Sequence, residues 1–450
     1  MLNELSAEVC QRARMSRDPR FDGRFFVAVK TTGIFCRPIC PANLPKEENV
    51  EYFSSQALAV SAGYRPCLRC RPESAPHSWA WKGAETTFLR ALTLIEQGEL
   101  DGSLETLASR LGISDRYLRQ LFQRHLGMPP KQYAQIQQLM FAKQLLHTSQ
   151  ISITEVAYAS GFQSTRRFND AFQKLFRLTP TQVRRERAAL PSRNHLSLAF
   201  RGPFDWAHML DFYRLRAIEG MELIDEQSYQ RHFVLGEGTG WFKASMAQSH
   251  LDIEFEMERL SDLRHLVARL RRMFDLDADL ISIEAHLEQL APGLVRRTGI
   301  RIPGVWNAWE AGVRAVLGQQ VSVKAAIGQL NLLVSTLAAS EGSTRYFPTP
   351  EQVQMSDLSF LRMPERRKET LKRLADYVRL HPMDSPMAWL SLSGIGPWTV
   401  DYAQLRGESR SHCFLTGDLI VKKALAKFPQ LTAESVAPWG SYATFHCWSH

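Results

Sequence analysis

Two pairs of cysteines constrain the start of this chain more than any other feature does. Cys36-Arg-Pro-Ile-Cys40 is followed, after a gap of 26 residues, by Cys67-Leu-Arg-Cys70. Four thiolates in two close pairs fit a tetrahedral zinc ion closed by protein ligands, the structural type of site. The chain has seven cysteines, an odd number with four of them in this cluster, which favours metal over disulfides in a reducing compartment. One Zn2+ on Cys36, Cys40, Cys67 and Cys70 is therefore expected. Scaffolding of a small domain that cannot fold without its metal is the plainest role. The spacing leaves open whether one sulfur also reacts. Arg37, Arg65, Arg69 and Arg71 surround the pairs and are candidates to hold phosphates.

A second constraint lies between Leu390 and Ala424. Leu-Ser-Leu-Ser-Gly394-Ile-Gly396-Pro-Trp-Thr reads as two helices joined by a tight hairpin. Gly394 and Gly396 permit backbone angles and close approaches that bulkier residues block, and the amides after them open a helix, a natural phosphate site. Asp418 precedes the apolar run Leu419, Ile420, Val421. It reads either as a helix N-cap or as a carboxylate held over a cleft beside an aromatic pocket.

Between these two features one plan occurs twice. Ser103 to Phe122 and Ile153 to Phe172 each give helix, glycine turn (Gly112, Gly161), helix, with Ser114 and Ser164 as caps of the second helices. The long helix Gln132 to His147 separates them, and Phe88 to Glu96 precedes them as an amphipathic helix. Exposed positions on the second helices are major-groove candidates: Asp115, Arg116, Arg119 and Gln120 in the first, Thr165, Arg166 and Asn169 in the second. From Phe162 to Arg187 there are seven basic side chains against two acidic. Leu118, Leu121, Phe122, Phe168, Ala171 and Phe172 read as core.

The 450 residues give room for about three or four domains. A net charge of +9 suits a polyanionic partner. No apolar run approaches a membrane span, and Glu4 and Glu8 argue against a signal peptide, so a cytoplasmic protein is expected. Pro72 to Pro76 and Leu190 to Asn194 read as linkers. His250 to Glu258 alternates as a half-buried strand does. Gly236, Gly238 and Gly240 lie between two strand-like runs and read as a hairpin turn, not a nucleotide loop. From Leu266 onward the pattern is helical. The fold class is thus multidomain and mainly α. Its expected parts are a four-cysteine α+β zinc domain (1–80), an all-α tandem helix-turn-helix domain (84–190), an α+β subdomain (195–280) and an all-α helix-hairpin-helix domain (281–450).

Each segment also resembles a known family. Thr-Thr-Gly-Ile-Phe-Cys36-Arg-Pro-Ile-Cys40 with Gly-Tyr-Arg-Pro-Cys67-Leu-Arg-Cys70-Arg-Pro is similar to the N-terminal domain of Ada, over nearly all of residues 10–73. That resemblance implies that Cys36 accepts the methyl group of a methylated DNA phosphotriester. The tandem helix-turn-helix resembles the AraC/XylS DNA-binding domain. It implies a transcription activator, with promoter DNA and RNA polymerase as partners, acting as a monomer in a bacterial nucleoid.

Leu-Ser-Gly-Ile-Gly-Pro-Trp-Thr followed by Gly-Asp418-Leu-Ile-Val-Lys-Lys looks like the helix-hairpin-helix DNA glycosylases of the AlkA type, as does Pro203-Phe-Asp-Trp206 with Leu210 and Tyr213. By that resemblance Asp418 is catalytic, and Trp398, Tyr402 and Trp448 bind the extruded base. The segment Trp306 to Val323, with Gln319 and Gln320, enters the duplex at the emptied position. Leucine is frequent where Gln320 stands; glutamine is not an apolar wedge, though it can fill the gap and bond to the orphan base. Strand-cutting relatives carry lysine where this chain has Trp398, so no lyase step is expected. Only Cys413 and Cys447 lie near the C-terminus, so no iron–sulfur cluster is expected there, and the Pro-Cys-His-Arg site of a second methyltransferase domain is missing.

The leading reading is a methyl acceptor, activator and monofunctional 3-methyladenine glycosylase on one chain. A regulator whose glycosylase half only senses distorted DNA is the alternative, and a zinc-stabilised binding module without chemistry at Cys36 is a third.

Overall fold

Short apolar runs cut by turn residues build a small sheet in the first part of the chain. In the computed structural model, helix α1 (Ala7–Ser16) precedes strands β1 (Phe26–Val29), β2 (Ile34–Cys36) and β3 (Val50–Phe53), helix α2 (Gln56–Ser61) and strand β4 (Arg65–Pro66). The structure describes residues 6–18, 21–54, 56–67, 69–70, 72, 79–96, 98, 100, 103–185, 194–337, 340–341, 344–382 and 384–449. Apart from Pro72 and Asn194, both expected linkers lie outside these residues, as does Arg71. The chain forms two compact units, Met1–Gln137 and Gln138–His450.

In the first unit the sheet order is β3-β1-β2-β4. Strand β4 runs parallel to β2 with Phe35 opposite Pro66. Helices α3 (Trp79–Glu96), α4 (Leu104–Arg110) and α5 (Asp115–Leu126) follow, and α6 (Pro130–Thr148) carries the chain across the boundary between the units. Helix α3 starts nine residues before the expected Phe88. Ser114 caps α5 through the Tyr117 N–H, and Leu118, Leu121 and Phe122 are buried against Phe88 and Leu107.

The second unit opens with the other helix pair, α7 (Ile153–Ala159) and α8 (Thr165–Phe176), then α9 (Pro180–Arg185). Ser164 caps α8, and Phe168 and Phe172 are buried. Next come β5 (His195–Ala199), α10 (Trp206–Arg214), β6 (Glu222–Ile224), β7 (Ser228–Leu235), β8 (Gly238–Met246) and β9 (His250–Met257). They form an antiparallel sheet of order β5-β9-β8-β7-β6. Leu251, Ile253 and Phe255 alternate inward from β9, and Gly236 with φ 60 makes the β7–β8 turn.

The remainder is helical but for one small hairpin. It comprises α11 (Leu263–Met273), α12 (Leu280–Leu290), α13 (Ala308–Gly318), α14 (Val323–Leu337), β10 (Ser340–Glu341), β11 (Thr344–Arg345), α15 (Pro350–Met355), α16 (Glu365–Leu380), α17 (Pro397–Glu408), α18 (Leu419–Leu425) and α19 (Gly440–Trp448). Helix α13 is buried along nearly its whole length. Gly407 lets α17 cross it, since a Cβ there would sit 2.5 Å from Ala308 Cα. One expectation needs correcting. The segment before the hairpin, Pro386–Ser391, is a 3₁₀ turn and not an α-helix; its amides close three residues back, Ala388 N–H to Ser385 O and Leu392 N–H to Trp389 O, the tighter 3₁₀ pattern.

Beneath the helices lies a buried charge network. Arg231 bonds Glu222 at 3.0 Å and Glu310 at 2.5 Å, and Arg314 bonds the same two carboxylates at 3.2 and 2.8 Å. Two arginines balance two glutamates, the condition for burying such charges. Burial alone would raise the Glu310 carboxyl, but Arg231 and Arg314 outweigh it and hold it down at about 2.

Candidate functional site

The sheet register brings the four cysteines together. Cys36 ends β2, and Cys67 follows β4 one residue past the Phe35–Pro66 pair. A turn closed by Cys40 N–H to Arg37 O at 3.1 Å returns Cys40 to the cluster. All four sulfurs lie within 4.8 Å of one another. Among the described residues no other group of His, Cys, Asp and Glu could hold a metal ion.

The donor set fits zinc, because without a cation the sulfurs oppose one another's ionisation. The hydrogen bond to Cys70 and then burial push the Cys36 thiol far above its ordinary range, while the same bond holds Cys70 down at about 6. The protein binds one Zn2+ here through four thiolates. Cys40 and Cys70 are buried, whereas Cys36 and Cys67 are half-buried and reachable.

Arg37 departs from expectation. Its Nε donates to Asp22 Oδ1 at 2.8 Å, its Nη2 pairs with Asp22 Oδ2, and its Nη1 donates to Cys70 O at 3.3 Å. The guanidinium braces the zinc loop and is not offered to a phosphate. Arg65 and Arg69 are exposed.

In the second unit Trp398, Tyr402, Trp448 and Asp418 line one cavity of about 440 Å³. Asp418 caps α18, its Oδ1 accepting from Ile420 N–H at 2.9 Å and Val421 N–H at 3.2 Å. The same oxygen accepts from Trp448 Nε1 at 3.1 Å. Both sequence readings of this residue therefore describe it, as a cap and as a cavity-wall carboxylate. No described residue bonds its Oδ2.

Trp398 stacks on Tyr402 with ring centroids 5.3 Å apart and 26° between planes. Arg406 donates to the Tyr402 hydroxyl at 2.9 Å and lies 5.7 Å from the ring centroid. Tyr402 is thus held in place by its neighbours on α17. All three aromatics, Trp398, Tyr402 and Trp448, still line the cavity.

Sequence reasoning missed the far wall, which comes from α10 and the turn after it. Phe212 stacks with Trp448, and Arg216 lies 3.7 Å over the Phe212 ring while donating to Phe212 O at 3.2 Å. Burial lowers Arg216 to about 10, against a smaller upward pull from Tyr402. Among the described residues it has no carboxylate partner; nearby Asp211 pairs with Arg214 at 2.5 Å. Phe212 lies at helical spacing within the motif from Pro203 to Tyr213 and was accessible in principle. Arg216 left no such signal.

Just before Trp398 the hairpin turns through Gly394, whose φ is 93 and whose Cβ would collide with Thr370 Oγ1 at 2.1 Å. Gly396 caps α17 with nothing within 4 Å of a Cβ, so the backbone is open to an approaching phosphate. Gln319 corrects another expectation. Its Nε2 donates to Gly394 O at 3.1 Å and Thr399 Oγ1 at 3.2 Å, so its amide N–H groups are spent on tying α13 to the hairpin. Gln320 is exposed, with φ 56.

On the helix-turn-helix elements Arg116, Gln120, Arg166 and Asn169 are exposed. Arg119 pairs with Asp115 at 3.0 Å on the surface, a contact weak enough to exchange for DNA.

Sequence comparison gives these sites a common context. The metal binding domain of Ada matches residues 9–73, a helix-turn-helix domain 107–186 and the AlkA N-terminal domain 195–307. The probable bifunctional transcriptional activator/DNA repair enzyme AlkA of Mycobacterium tuberculosis is 34% identical over 475 residues, covering 98% of this chain and 96% of that protein. This chain belongs to that family.

DNA-3-methyladenine glycosylase 2 of Escherichia coli is 33% identical over 277 residues, 56% of this chain and 96% of that protein. The bifunctional transcriptional activator/DNA repair enzyme Ada of Escherichia coli is 35% identical over 170 residues, 38% of this chain and 47% of that protein. The family's three parts, metal-binding domain, helix-turn-helix domain and glycosylase-like domain, thus follow one another along the chain. Among the described residues no helix is long and apolar enough to cross a membrane.

Proposed function

We propose that this protein couples repair of alkylated DNA to transcription of repair genes. Its C-terminal part excises alkylated purines such as 3-methyladenine and 7-methylguanine by hydrolysis of the N-glycosidic bond, leaving the strand uncut. The observation that carries this reading is the cavity in which Trp398, Trp448 and Asp418 meet, with Asp418 Oδ1 fixed by three donors. A base turned out of the duplex stacks on the tryptophans. Cation–π attraction adds ~0.5–2 kcal/mol for a positively charged lesion. Such a base leaves readily, so no strong general acid is needed. Asp418 stabilises the oxocarbenium-like sugar and orients water.

The N-terminal part accepts methyl from a phosphotriester. The Cys36 sulfur attacks the methyl carbon, an S–C bond forms, the C–O bond breaks, and the electron pair remains on the phosphodiester oxygen. Zinc, when bound, keeps the thiolates deprotonated at neutral pH. Arg65 and Arg69 are free to hold flanking phosphates. The helix-turn-helix elements read a promoter through Arg116, Arg119, Arg166 and Asn169, and RNA polymerase is recruited there by a monomer in the bacterial cytoplasm. Residues 1–80, 84–190, 195–280 and 281–450 are the working domains.

The alternative, a sensor with an inert glycosylase half, uses Asp418 only as a cap. An N-cap has no need of an indole donor from α19, and this favours catalysis. Incubation with methylated duplex DNA tests both activities in one tube. Released bases are expected by chromatography, a gain of one methyl on Cys36 by mass spectrometry, and one zinc per chain by metal analysis. DNA returned with every alkylated base in place would leave only the sensor reading.

A further inference from the structure

Ser449 fixes the place of a proton on the cavity wall. Its hydroxyl has one proton to give and donates it to Phe445 O at 2.9 Å. The contact of Ser449 Oγ with His208 Nε2 at 3.4 Å is then made with the imidazole as donor. Burial lowers His208 below its ordinary value; Arg297 adds to this, and Asp205 and Asp211 pull the other way without cancelling it. The ring is therefore neutral at pH 7, with its proton on Nε2 and a lone pair on Nδ1. Among the described residues nothing donates to Nδ1.

His208 also stands at a defined end of the cavity. It lines the wall together with Phe212, one turn further along α10, and Phe212 stacks with Trp448. Trp448 reaches from one side to the other: its Nε1 bonds Asp418, while the next residue, Ser449, bonds His208. A base stacked on that indole with its sugar at Asp418 turns its six-membered ring, and the substituent at C6, toward His208.

Resting on the reading of the cavity as a base site, we propose that His208 Nδ1 accepts a hydrogen bond from the 6-amino group of an extruded purine and so favours adenine lesions over guanine lesions. A 6-oxo group in the same place meets the Nδ1 lone pair with lone pairs of its own, and leaving both unsatisfied is costly. The preference is one of degree, since stacking on the aromatics is open to either purine. His208 is a specificity residue, and Ser449 positions it by holding the tautomer.

The test uses duplex DNA carrying labelled methyl groups, which supplies 3-methyladenine and 3-methylguanine together. The two lesions share the methyl position and the positive charge and differ at C6 and C2. They compete in one tube, so the ratio of their first-order release rates is the ratio of kcat/KM, and comparing variants cancels the difference at C2. His208→Phe keeps a ring but has no acceptor. It should lower the 3-methyladenine to 3-methylguanine ratio about three- to tenfold, the worth of one net hydrogen bond. Ser449→Ala frees the Nε2 proton and lets the tautomers exchange, so it should move the ratio the same way, by about twofold or more. A merely structural role for either residue would slow both bases alike.

Melting temperatures show whether each variant folds, and Ser449→Ala carries the test alone if His208→Phe does not. An unchanged ratio in a folded variant overturns the proposal and, with bases still released, leaves the glycosylase reading standing. Wild type that releases neither base overturns both.

Discussion

Trp448, on the last helix, donates its indole N–H to the Asp418 carboxylate at 3.1 Å across thirty residues of chain. With the two α18 amides, that bond fixes the carboxylate as a unit and leaves Oδ2 for a ligand. Asp418→Asn is the cleanest probe, because asparagine is as good an N-cap as aspartate and keeps an oxygen for the indole. Only the charge disappears. Stability should change by less than about 0.5 kcal/mol, while base release falls at least ~100-fold, the usual cost of removing one electrostatic contact to a developing charge. Binding to an abasic-analogue duplex should survive. Near wild-type release by this variant would reduce Asp418 to a cap.

Arg216 adds a cation to the same cavity. A guanidinium with no carboxylate partner among the described residues, stacked on Phe212, disfavours a positively charged base in the ground state and favours a neutral one that can accept its hydrogen bonds. At roughly 7 Å and an effective dielectric between about 20 and 40, one charge is worth on the order of 1–2 kcal/mol. Arg216→Gln should therefore raise release of 7-methylguanine relative to neutral hypoxanthine by about fivefold to thirtyfold. Single-turnover rates on two defined duplexes check this. An unchanged ratio would mean that solvent screens the charge.

What could be read from the sequence follows the range of the interaction. The Ser114 and Ser164 caps and the Gly236 turn depend on neighbours within a few residues, and the four cysteines, though their pairs are 26 residues apart, share a metal chemistry that the residue type announces; each is legible. Arg37 was not, because its partner Asp22 lies fifteen residues earlier on the other side of β1. The Phe212–Trp448 wall joins the two ends of the repair part, and no local pattern pairs residues so far apart. Gln319 was read as facing DNA because its bond to Gly394 O exists only once α13 and the hairpin are packed together. The stacking of Trp398 on Tyr402 is an i, i+4 relation on one helix and is legible in the sequence.

Asp275 makes the stability of the repair part depend on pH. It is fully buried, accepts from Tyr442 at 3.0 Å and Ile302 N–H at 3.2 Å, and burial lifts its carboxyl to about 7 despite those bonds and Arg301. An acid whose folded value lies above its unfolded value of about 4 stabilises the fold below pH 4. That contribution is lost as pH rises toward 7. The full swing is on the order of 4 kcal/mol for a shift of about three units. Denaturant midpoints followed by tryptophan fluorescence suit the test, since eight of the ten tryptophans lie beyond residue 200. Between pH 5 and pH 8 wild type should lose more stability than Asp275→Asn, and parallel losses would contradict the assignment.

The last prediction concerns Cys36. Zinc with four thiolates has a formal charge of −2 and would face a negatively charged DNA backbone. Arg37 does not offset it, because Asp22 already neutralises that guanidinium. Methylation of Cys36 turns a thiolate into a neutral thioether and changes the charge to −1. Cys36 is half-buried and reachable, so the altered sulfur lies where DNA can sense it. One unit of repulsion removed near phosphates is worth on the order of 1–4 kcal/mol, depending on local dielectric. That corresponds to roughly tenfold to several-hundredfold in affinity. The methylated protein should therefore bind its promoter more tightly, and Arg116→Ala and Arg166→Ala should still erase sequence preference in both states. Because salt screens the repulsion that methylation relieves, the gain should shrink as ionic strength rises. Titrating methylated and unmethylated protein on one promoter at several salt concentrations gives the answer. Equal affinities at low salt would leave Cys36 a repair nucleophile with no part in regulation.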